Sequence, residues 1–268
     1  MWIKEPAQIG NQLSFVFSWQ LWKWLQKPRE DVVIGGPAVV LNREWIPDNV
    51  QVGEHLEGAL ALHSPMATRT TRGCPRGCEF CGVRKIHPKF EELNDWEVKP
   101  LIIDDNLLAA SKSHFDRVID SLKILEWCDF NQGLDPRFLT KYHASRFAEL
   151  RKPMLRLSLD STSYVGKFAK AYSLLRGAGL PKSRIGVYVL IGFNDTPEDA
   201  LFRLELLYRT LKIRPNPMRY QPLNSKKRNE FVAESWTNKE LVRYMRYWAR
   251  LRYTGSIPFE EFDLDLCK

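Results

Sequence analysis

From Thr68 onward, short apolar runs typical of β-strands alternate with stretches typical of amphipathic helices. The strand candidates are residues 68–72, 99–104, 127–131, 154–159, 185–191 and 218–222. Between them, apolar residues recur every three or four positions, which indicates helices. Strands that alternate with helices usually pair in parallel. Six such units predict an α/β fold, a partial (β/α)6 TIM-like barrel, over residues 66–223.

Two shorter segments flank this barrel. Residues 1–65 contain an aromatic helix at 13–25 and a strand at 31–37 that ends in a Gly-Gly turn. Residues 224–268 form a C-terminal helical extension, in which Thr237 and Glu240 have the spacing of a capping box. Thr196, followed by Pro197, is typical of the start of a helix within the barrel.

The composition, with 44% apolar and 27% charged residues, is that of a globular protein and excludes disordered and collagen-like chains. Residues 13–25 are too few to span a bilayer, and a small-residue cleavage site does not follow them. We therefore predict a cytoplasmic protein without membrane contact. The net charge of +8 favours anionic partners.

Three of the five cysteines, Cys74, Cys78 and Cys81, lie within eight residues. This spacing favours metal binding over disulfides, and thiolates suit iron–sulfur clusters and zinc. A structural zinc site needs a fourth ligand at a short spacing, and neither His87 nor Cys128 completes a recognisable zinc pattern. An iron–sulfur cluster held by three cysteines would keep one iron open for a further ligand.

The Cys-x3-Cys-x2-Cys spacing, with Phe80 before the third cysteine, resembles the signature of the radical S-adenosylmethionine (SAM) superfamily. The flanking segment 71–75, Thr-Arg-Gly-Cys-Pro, resembles its cobalamin-associated branch. The resemblance covers roughly residues 66–223. It implies an oxygen-sensitive enzyme whose three cysteines hold a [4Fe-4S] cluster, with SAM on the fourth iron. A flavodoxin- or ferredoxin-like donor would reduce the cluster, and SAM would be cleaved to methionine and a 5′-deoxyadenosyl radical.

The resemblance also implies cofactor contacts at the strand ends, where ligands of parallel α/β folds bind. Phe80 would pack near the adenine, although it could instead plug the barrel mouth. One of three polar residues after the second strand would accept a hydrogen bond from the SAM amino group, unless they cap a helix. Further contacts would come from the fourth and sixth strands. The SAM-binding candidates are Phe80, Asp104, Asp105, Asn106, Ser158, Asp160 and Tyr220.

Three other residues are candidates for substrate binding. Gln132 and Asp135 follow the third strand, where they would form a substrate wall or serve a turn. Arg156 would pair with a carboxylate of SAM or substrate, or with Asp160. Strand alternation places Ser158 and Asp160 on the opposite side from the neighbouring leucines.

Cobalamin is not expected, although residues 32–37 resemble a late strand of a cobalamin domain. Residues 1–65 are too few for that five-stranded domain, so we interpret them as a truncated remnant of a Rossmann-like domain. The usual Asp-x-His-x-x-Gly motif is also incomplete, because Gly53 stands where the Asp would precede His55.

Basic residues cluster near the C-terminus, and Arg243, Arg246 and Arg250 fall on one stripe of the last helix. This stripe would track nucleic-acid phosphates or simply face solvent. The leading hypothesis is a radical SAM enzyme acting on an unidentified substrate, anionic or related to nucleic acid. The alternatives are a cobalamin-dependent methyltransferase and a zinc-stabilised nucleic-acid-binding module that uses His87. Cys128 and Cys267 are interpreted as a buried thiol and a tail thiol.

Overall fold

A computed structural model describes residues 7–53, 60–61 and 64–264 of the chain. The chain divides into two units, residues 1–105 with 221–231 and residues 106–220 with 232–268. This division differs from the predicted boundaries at residues 65 and 223. The three predicted cysteine ligands belong to the first unit, and most candidate contacts for SAM and substrate belong to the second.

The first unit begins with a three-stranded sheet made of β1 (Ala7–Ile9), β2 (Gln12–Ser14) and β3 (Val33–Gly35). β1 is antiparallel to β2, whereas β2 is parallel to β3. Two helices complete this part, α1 (Ser18–Leu25) and α2 (Pro37–Leu41). The predicted helix at 13–25 therefore starts five residues later, because the first residues of that segment pair with β3. The apolar core contains Phe15, Leu21, Val32, Ile34, Ala38, Val39 and Val50.

The rest of the first unit consists of short strands. β4 (Ala67–Thr68) is parallel to β7 (Leu101–Ile102). β5 (Thr71–Arg72) is antiparallel to β6 (Glu91–Glu92). The single strand predicted at 68–72 is thus two strands with different partners, and a short helix, α3 (Val83–Ile86), lies between β5 and β6.

The second unit is built on four parallel strands in the order β8, β9, β10, β11. Their bounds are Cys128–Leu134, Pro153–Ser158, Ile185–Ile191 and Pro215–Arg219. The helices are α4 (Lys112–Leu122), α5 (Lys141–Phe147), α6 (Val165–Gly177), α7 (Pro197–Glu205), α8 (Asn238–Ala249) and α9 (Leu251–Thr254).

The mixed α/β class with parallel strands is confirmed, with two parallel pairs, β2–β3 and β4–β7, in the first unit and four parallel strands in the second. The described ranges contain no closed barrel. They also contain no helix long and apolar enough to cross a membrane.

The two faces of the four-stranded sheet differ in chemistry. Along β9 and β10, buried and half-buried residues alternate strictly, and the buried set is apolar. The other face carries polar side chains, although parallel sheets are usually apolar on both faces. We call it the polar sheet face; its polar residues are Asp129, Asn131, Arg156, Ser158, Tyr188 and Asn216.

Two predicted helix starts are confirmed by their hydrogen bonds. Thr196 Oγ1 accepts the Asp199 N–H at 3.2 Å, at the start of α7. Thr237 Oγ1 accepts the Glu240 N–H at 3.2 Å, and the Glu240 carboxylate accepts the Thr237 N–H at 2.7 Å. This reciprocal pair is the predicted capping box of α8.

Asp116 on α4 is the centre of an ion network that predicts a pH effect on stability. It accepts hydrogen bonds from the Tyr142 hydroxyl, from Lys112 at 3.0 Å and from Arg146 at 2.9 Å. These donors lower the pKa of Asp116 from 3.8 to about 2. The carboxylate is therefore stabilised by folding above about pH 4, and this contribution is lost as the pH falls through 2.

We expect Asp116→Asn to lower the free energy of unfolding at neutral pH, and the difference from wild type to shrink between pH 4 and 2. Urea titrations over this range measure it. Asp48→Asn, at an exposed position outside the network, is the control. A difference for Asp116→Asn that does not change with pH would contradict the assignment.

Candidate functional site

The three clustered cysteines lie in one loop, residues 73–90, whose ends are joined by the pairing of β5 with β6. Cys74, Cys78 and Cys81 are half-buried thiols, not disulfides. Cys128 is also a thiol but only 1% exposed, which confirms the predicted buried position. We call residues 73–90 the cysteine loop.

Gly73 sets the entry into the cysteine loop. Its φ of +78° is a left-handed conformation that favours glycine. A Cβ at this position would lie 2.3 Å from the carbonyl oxygen of Lys89, at the other end of the loop. Only glycine allows this close approach of the two backbones, and Cys74 follows immediately.

Two carboxylates after β7 hold the strand that leads into the loop. Asp104 is 4% exposed, and its Oδ1 accepts the N–H groups of Thr70 and Thr71 at 2.5 and 2.8 Å. Its Oδ2 accepts the Thr70 hydroxyl at 2.5 Å. Asp105 Oδ2 accepts the Gly73 N–H at 2.8 Å. Both residues belong to the three from which one was predicted to contact SAM, and in the structure both are anchors of the cysteine loop.

Asp104→Asn is expected to destabilise the first unit and loosen the cysteine loop. An amide carries no charge, so the charge-assisted hydrogen bonds that Asp104 accepts from the N–H groups of Thr70 and Thr71 would become neutral ones, which are roughly half as strong. Urea unfolding gives the loss of stability, and iron bound per chain after reconstitution gives the effect on the loop. Asp95→Asn, at an exposed position, is the matched control. Equal iron binding and stability in the two variants would show that Asp104 has no anchoring role.

The electrostatics of the loop link the three thiols. Burial raises the pKa of Cys81, and the charges of Cys78, Cys74 and Asp105 raise it further, while the Val83 N–H opposes them. Cys74 Sγ accepts the Arg76 N–H at 3.4 Å. Metal coordination would remove the proton from Cys81, because bound thiolates are deprotonated.

This donor set fits an iron–sulfur cluster: three thiols share one loop, and backbone N–H groups donate to two of them. Among the described residues, His, Cys, Asp and Glu side chains do not converge in threes to hold a single metal ion. His87, the fourth ligand in the zinc hypothesis, has its Nε2 at 3.4 Å from Nη1 of Arg69. A guanidinium can only donate, so the His87 Nε2 lone pair faces Arg69.

In the second unit, Arg156 lies on the polar sheet face and pairs with Asp129. Its Nε and Nη2 donate to the two Asp129 oxygens at 2.8 and 2.5 Å, and this pairing raises the pKa of Arg156. The predicted pairing with Asp160 is wrong, because Asp129 stands on the neighbouring strand at bidentate distance. Tyr188 lies beside this pair and donates its hydroxyl to the Asn131 carbonyl at 2.8 Å.

Ser158 and Asp160 lie at the end of β9, on the side opposite the buried Leu157 and Leu159, as predicted. Burial raises the pKa of Asp160, whereas the Leu190 N–H, the charge of Arg203 and the Ser158 hydroxyl lower it. The carboxylate is thus held by the ends of two strands.

The two substrate candidates after β8 differ in environment. The pairing of β8 with β9 is irregular between Phe130 and Leu134, and Gln132 in this bulge is exposed. Both Asp135 oxygens accept hydrogen bonds from Arg137, at 2.7 Å from Nε and from Nη2. The Arg137 guanidinium also lies 4.5 Å from the ring centroid of Tyr164. Asp135 is therefore part of a local ion pair, and Gln132 is the more accessible candidate.

The remaining SAM-binding candidates occupy three different places. Tyr220 follows β11, and its ring lies 4.6 Å from that of Phe193. Asn106 is buried and precedes a short 3-10 helix, while Ser111 caps α4 by accepting the His114 N–H at 3.2 Å. Phe80 is half-buried in the cysteine loop.

Arg203 is not among the residues predicted from the sequence, yet it is the most deeply buried charged residue in the described part of the second unit, with an exposed fraction of 0%. It pairs with Asp195 and donates to the carbonyls of Leu159 and Leu190 at 3.0 and 2.8 Å. The sequence pattern does indicate a buried position for Arg203, since it falls within the apolar stripe of its helix, between Ala200 and Leu207. The pairing of Asp129 with Arg156 was not predicted because it depends on the register of the two strands.

The C-terminal basic stripe is not uniform. Arg243 donates to the carbonyls of Phe262 and Phe259 at 2.9 and 2.5 Å and lies over the Phe259 ring. It therefore packs the C-terminal segment, which weakens the prediction that Arg243, Arg246 and Arg250 track phosphates together. The segment 55–58, compared above with a cobalamin motif, and Cys267 lie outside the described residues.

The residues with functional chemistry thus form two sets: the cysteine loop with its anchors Asp104 and Asp105, and the polar sheet face with Asp160.

No protein-family model matches the chain, and no curated protein matches its sequence.

Proposed function

We propose that the chain is a radical SAM enzyme. The observation that carries the proposal is the cysteine loop, in which Cys74, Cys78 and Cys81 are thiols with backbone N–H donors to the first and third. The alternation of parallel strands and helices supports a partial (β/α)6 barrel as the architecture.

In this proposal the three cysteines hold a [4Fe-4S] cluster. An external flavodoxin- or ferredoxin-like donor would reduce the cluster. With SAM bound, the reduced cluster would supply a 5′-deoxyadenosyl radical for hydrogen abstraction from a substrate. Gly73 fixes the start of the loop, and Asp104 and Asp105 hold it through the N–H groups of Thr70, Thr71 and Gly73. Their role is to position the cysteines.

The polar sheet face is proposed to bind the ligands of the reaction. Ser158 supplies a hydroxyl, and Asp160, which burial shifts toward the neutral form, supplies a carboxyl group at the end of β9. The Arg156–Asp129 pair holds one guanidinium in a fixed orientation on the same face. Gln132, exposed in the bulge of β8, is the proposed polar contact to a substrate.

The test is anaerobic reconstitution with iron and sulfide, followed by reduction in the presence of SAM. We expect about four iron atoms per chain, the absorbance of an iron–sulfur cluster, and formation of 5′-deoxyadenosine. A chain that binds no cluster and releases no 5′-deoxyadenosine would falsify the proposal. One tightly held zinc per chain, retained in Cys81→Ala, would favour the zinc-stabilised module instead.

A further inference from the structure

A second group of side chains in the first unit combines aromatic rings with cations. Helix α1 contributes Trp19 and Trp22, and Trp45 lies edge-on to Trp22 with ring centroids 5.3 Å apart. The segment 221–231 contributes three consecutive exposed cations. We call these six residues the aromatic–basic surface: Trp19, Trp22, Trp45, Lys226, Lys227 and Arg228.

Buried hydrogen bonds fix the segment that carries the cations. Ser18 at the start of α1 donates its hydroxyl to the Ser225 carbonyl at 2.7 Å, and both serines are buried. Asn42, 0% exposed, donates to the Leu223 carbonyl at 3.1 Å. The cations that follow Ser225 are therefore placed by the fold of the first unit.

The cations lie over the indole rings. Lys226 Nζ is 3.9 Å from the ring centroid of Trp22 and 5.8 Å from that of Trp45. The Arg228 guanidinium is 6.0 Å from the ring of Trp19. The rings are half-buried while the three cations are exposed, so π-faces and positive charges lie side by side.

This combination is the one that proteins use to bind single-stranded nucleic acid. Bases stack on aromatic side chains regardless of sequence, while nearby cations contact the phosphates. A cation–π contact at an exposed site is weak, so a base can take the place of a cation over the ring as that cation moves to a phosphate.

We propose that the aromatic–basic surface binds single-stranded nucleic acid, with bases on Trp19 and Trp22 and phosphates on the three cations. This goes beyond the proposed radical chemistry, because such binding requires neither cluster nor SAM. It also differs from the C-terminal stripe predicted from the sequence, in which Arg243 is occupied by carbonyl groups.

The experiment measures binding of the full chain to labelled oligo(dT) and oligo(U) by anisotropy across a salt series, with tryptophan fluorescence recorded in parallel. We expect affinity to fall with salt and the oligonucleotide to quench fluorescence. The triple variant K226Q/K227Q/R228Q should bind more weakly, with a log–log salt slope smaller by about two, because each phosphate contact on a single strand contributes about 0.7. W19L/W22L should weaken binding about tenfold per ring and remove most of the quenching.

The control triple variant K167Q/K170Q/K182Q removes three exposed positive charges from the second unit. The charged residues of the first unit balance, so the net charge of +8 lies on the second unit, and purely non-specific attraction would respond at least as strongly to this control. Specific binding at the aromatic–basic surface predicts little change in it.

Three results would overturn the proposal: neither oligonucleotide binds at low salt, both triple variants lose affinity equally, or polyglutamate competes as well as the oligonucleotide. The last result would identify an acidic protein as the partner.

The variant K226Q/K227Q/R228Q changes only exposed residues, so it tests the proposal even if W19L/W22L does not fold. A difference in affinity between oligo(dT) and oligo(U) shows which of these two oligonucleotides the surface prefers. Binding by cluster-free protein would stand even if the radical SAM proposal failed.

Discussion

Alanine at Cys74, Cys78 or Cys81 is expected to leave the reconstituted protein without a stable [4Fe-4S] cluster and without measurable cleavage of SAM. Each thiolate is expected to hold one iron, and the loop offers a single set of three. Iron and sulfide per chain, cluster absorbance and 5′-deoxyadenosine are measured for each variant. The first two readouts report the ligands directly, independently of any substrate.

Cys128→Ala is the matched control, because it removes one thiol from the same chain at a position buried in β8. We expect it to keep the full cluster and to lose only some stability, since a buried cysteine packs as a small apolar side chain. Full iron content in all three loop variants would sink the assignment of the cysteine loop. Equal loss of iron in Cys128→Ala would show that the assay reports misfolding.

The regular elements of the second unit were predictable because they depend on local patterns. The alternation in β10 gave its bounds at residues 185–191 without error. Thr196 and Thr237 marked helix starts correctly because a cap is a contact within one turn. The spacing of the cysteines likewise indicated a shared loop, since only four and three positions separate them.

Partner choices between distant segments were not predictable in the same way. Asp104 and Asp105 follow β7 as expected, but their oxygens are used by backbone groups more than 30 residues earlier. Arg156 pairs with Asp129 because parallel register brings them together, and that register depends on the bulge in β8. A sequence pattern shows which residues are polar and leaves open which donor reaches which acceptor.

Arg203→Met is expected to lower the free energy of unfolding by about 3–5 kcal/mol, the cost of leaving one partner of a buried ion pair uncompensated. Arg203 is 0% exposed and binds Asp195 and the carbonyls of Leu159 and Leu190, at the ends of β9 and β10. Methionine fills much of the volume but donates no hydrogen bond. Urea unfolding measures the loss.

The double variant R203M/D195N separates the ion pair from the packing. Without the Asp195 charge, the carboxylate that pairs directly with Arg203 is no longer left uncompensated by the loss of Arg203, so we expect the double variant to be more stable than Arg203→Met alone. The amide introduced by D195N would keep an oxygen for the N–H groups of Gly192 and Trp236, which donate to Asp195 at 2.9 and 3.1 Å.

Arg203→Lys keeps the positive charge but lacks the planar guanidinium, so its free energy of unfolding should lie between those of wild type and Arg203→Met. A double variant as unstable as the sum of the single variants would mean that the two residues act independently. In that case the charge pairing of Arg203 with Asp195 would contribute nothing to holding the ends of β9 and β10, where Asp160 lies.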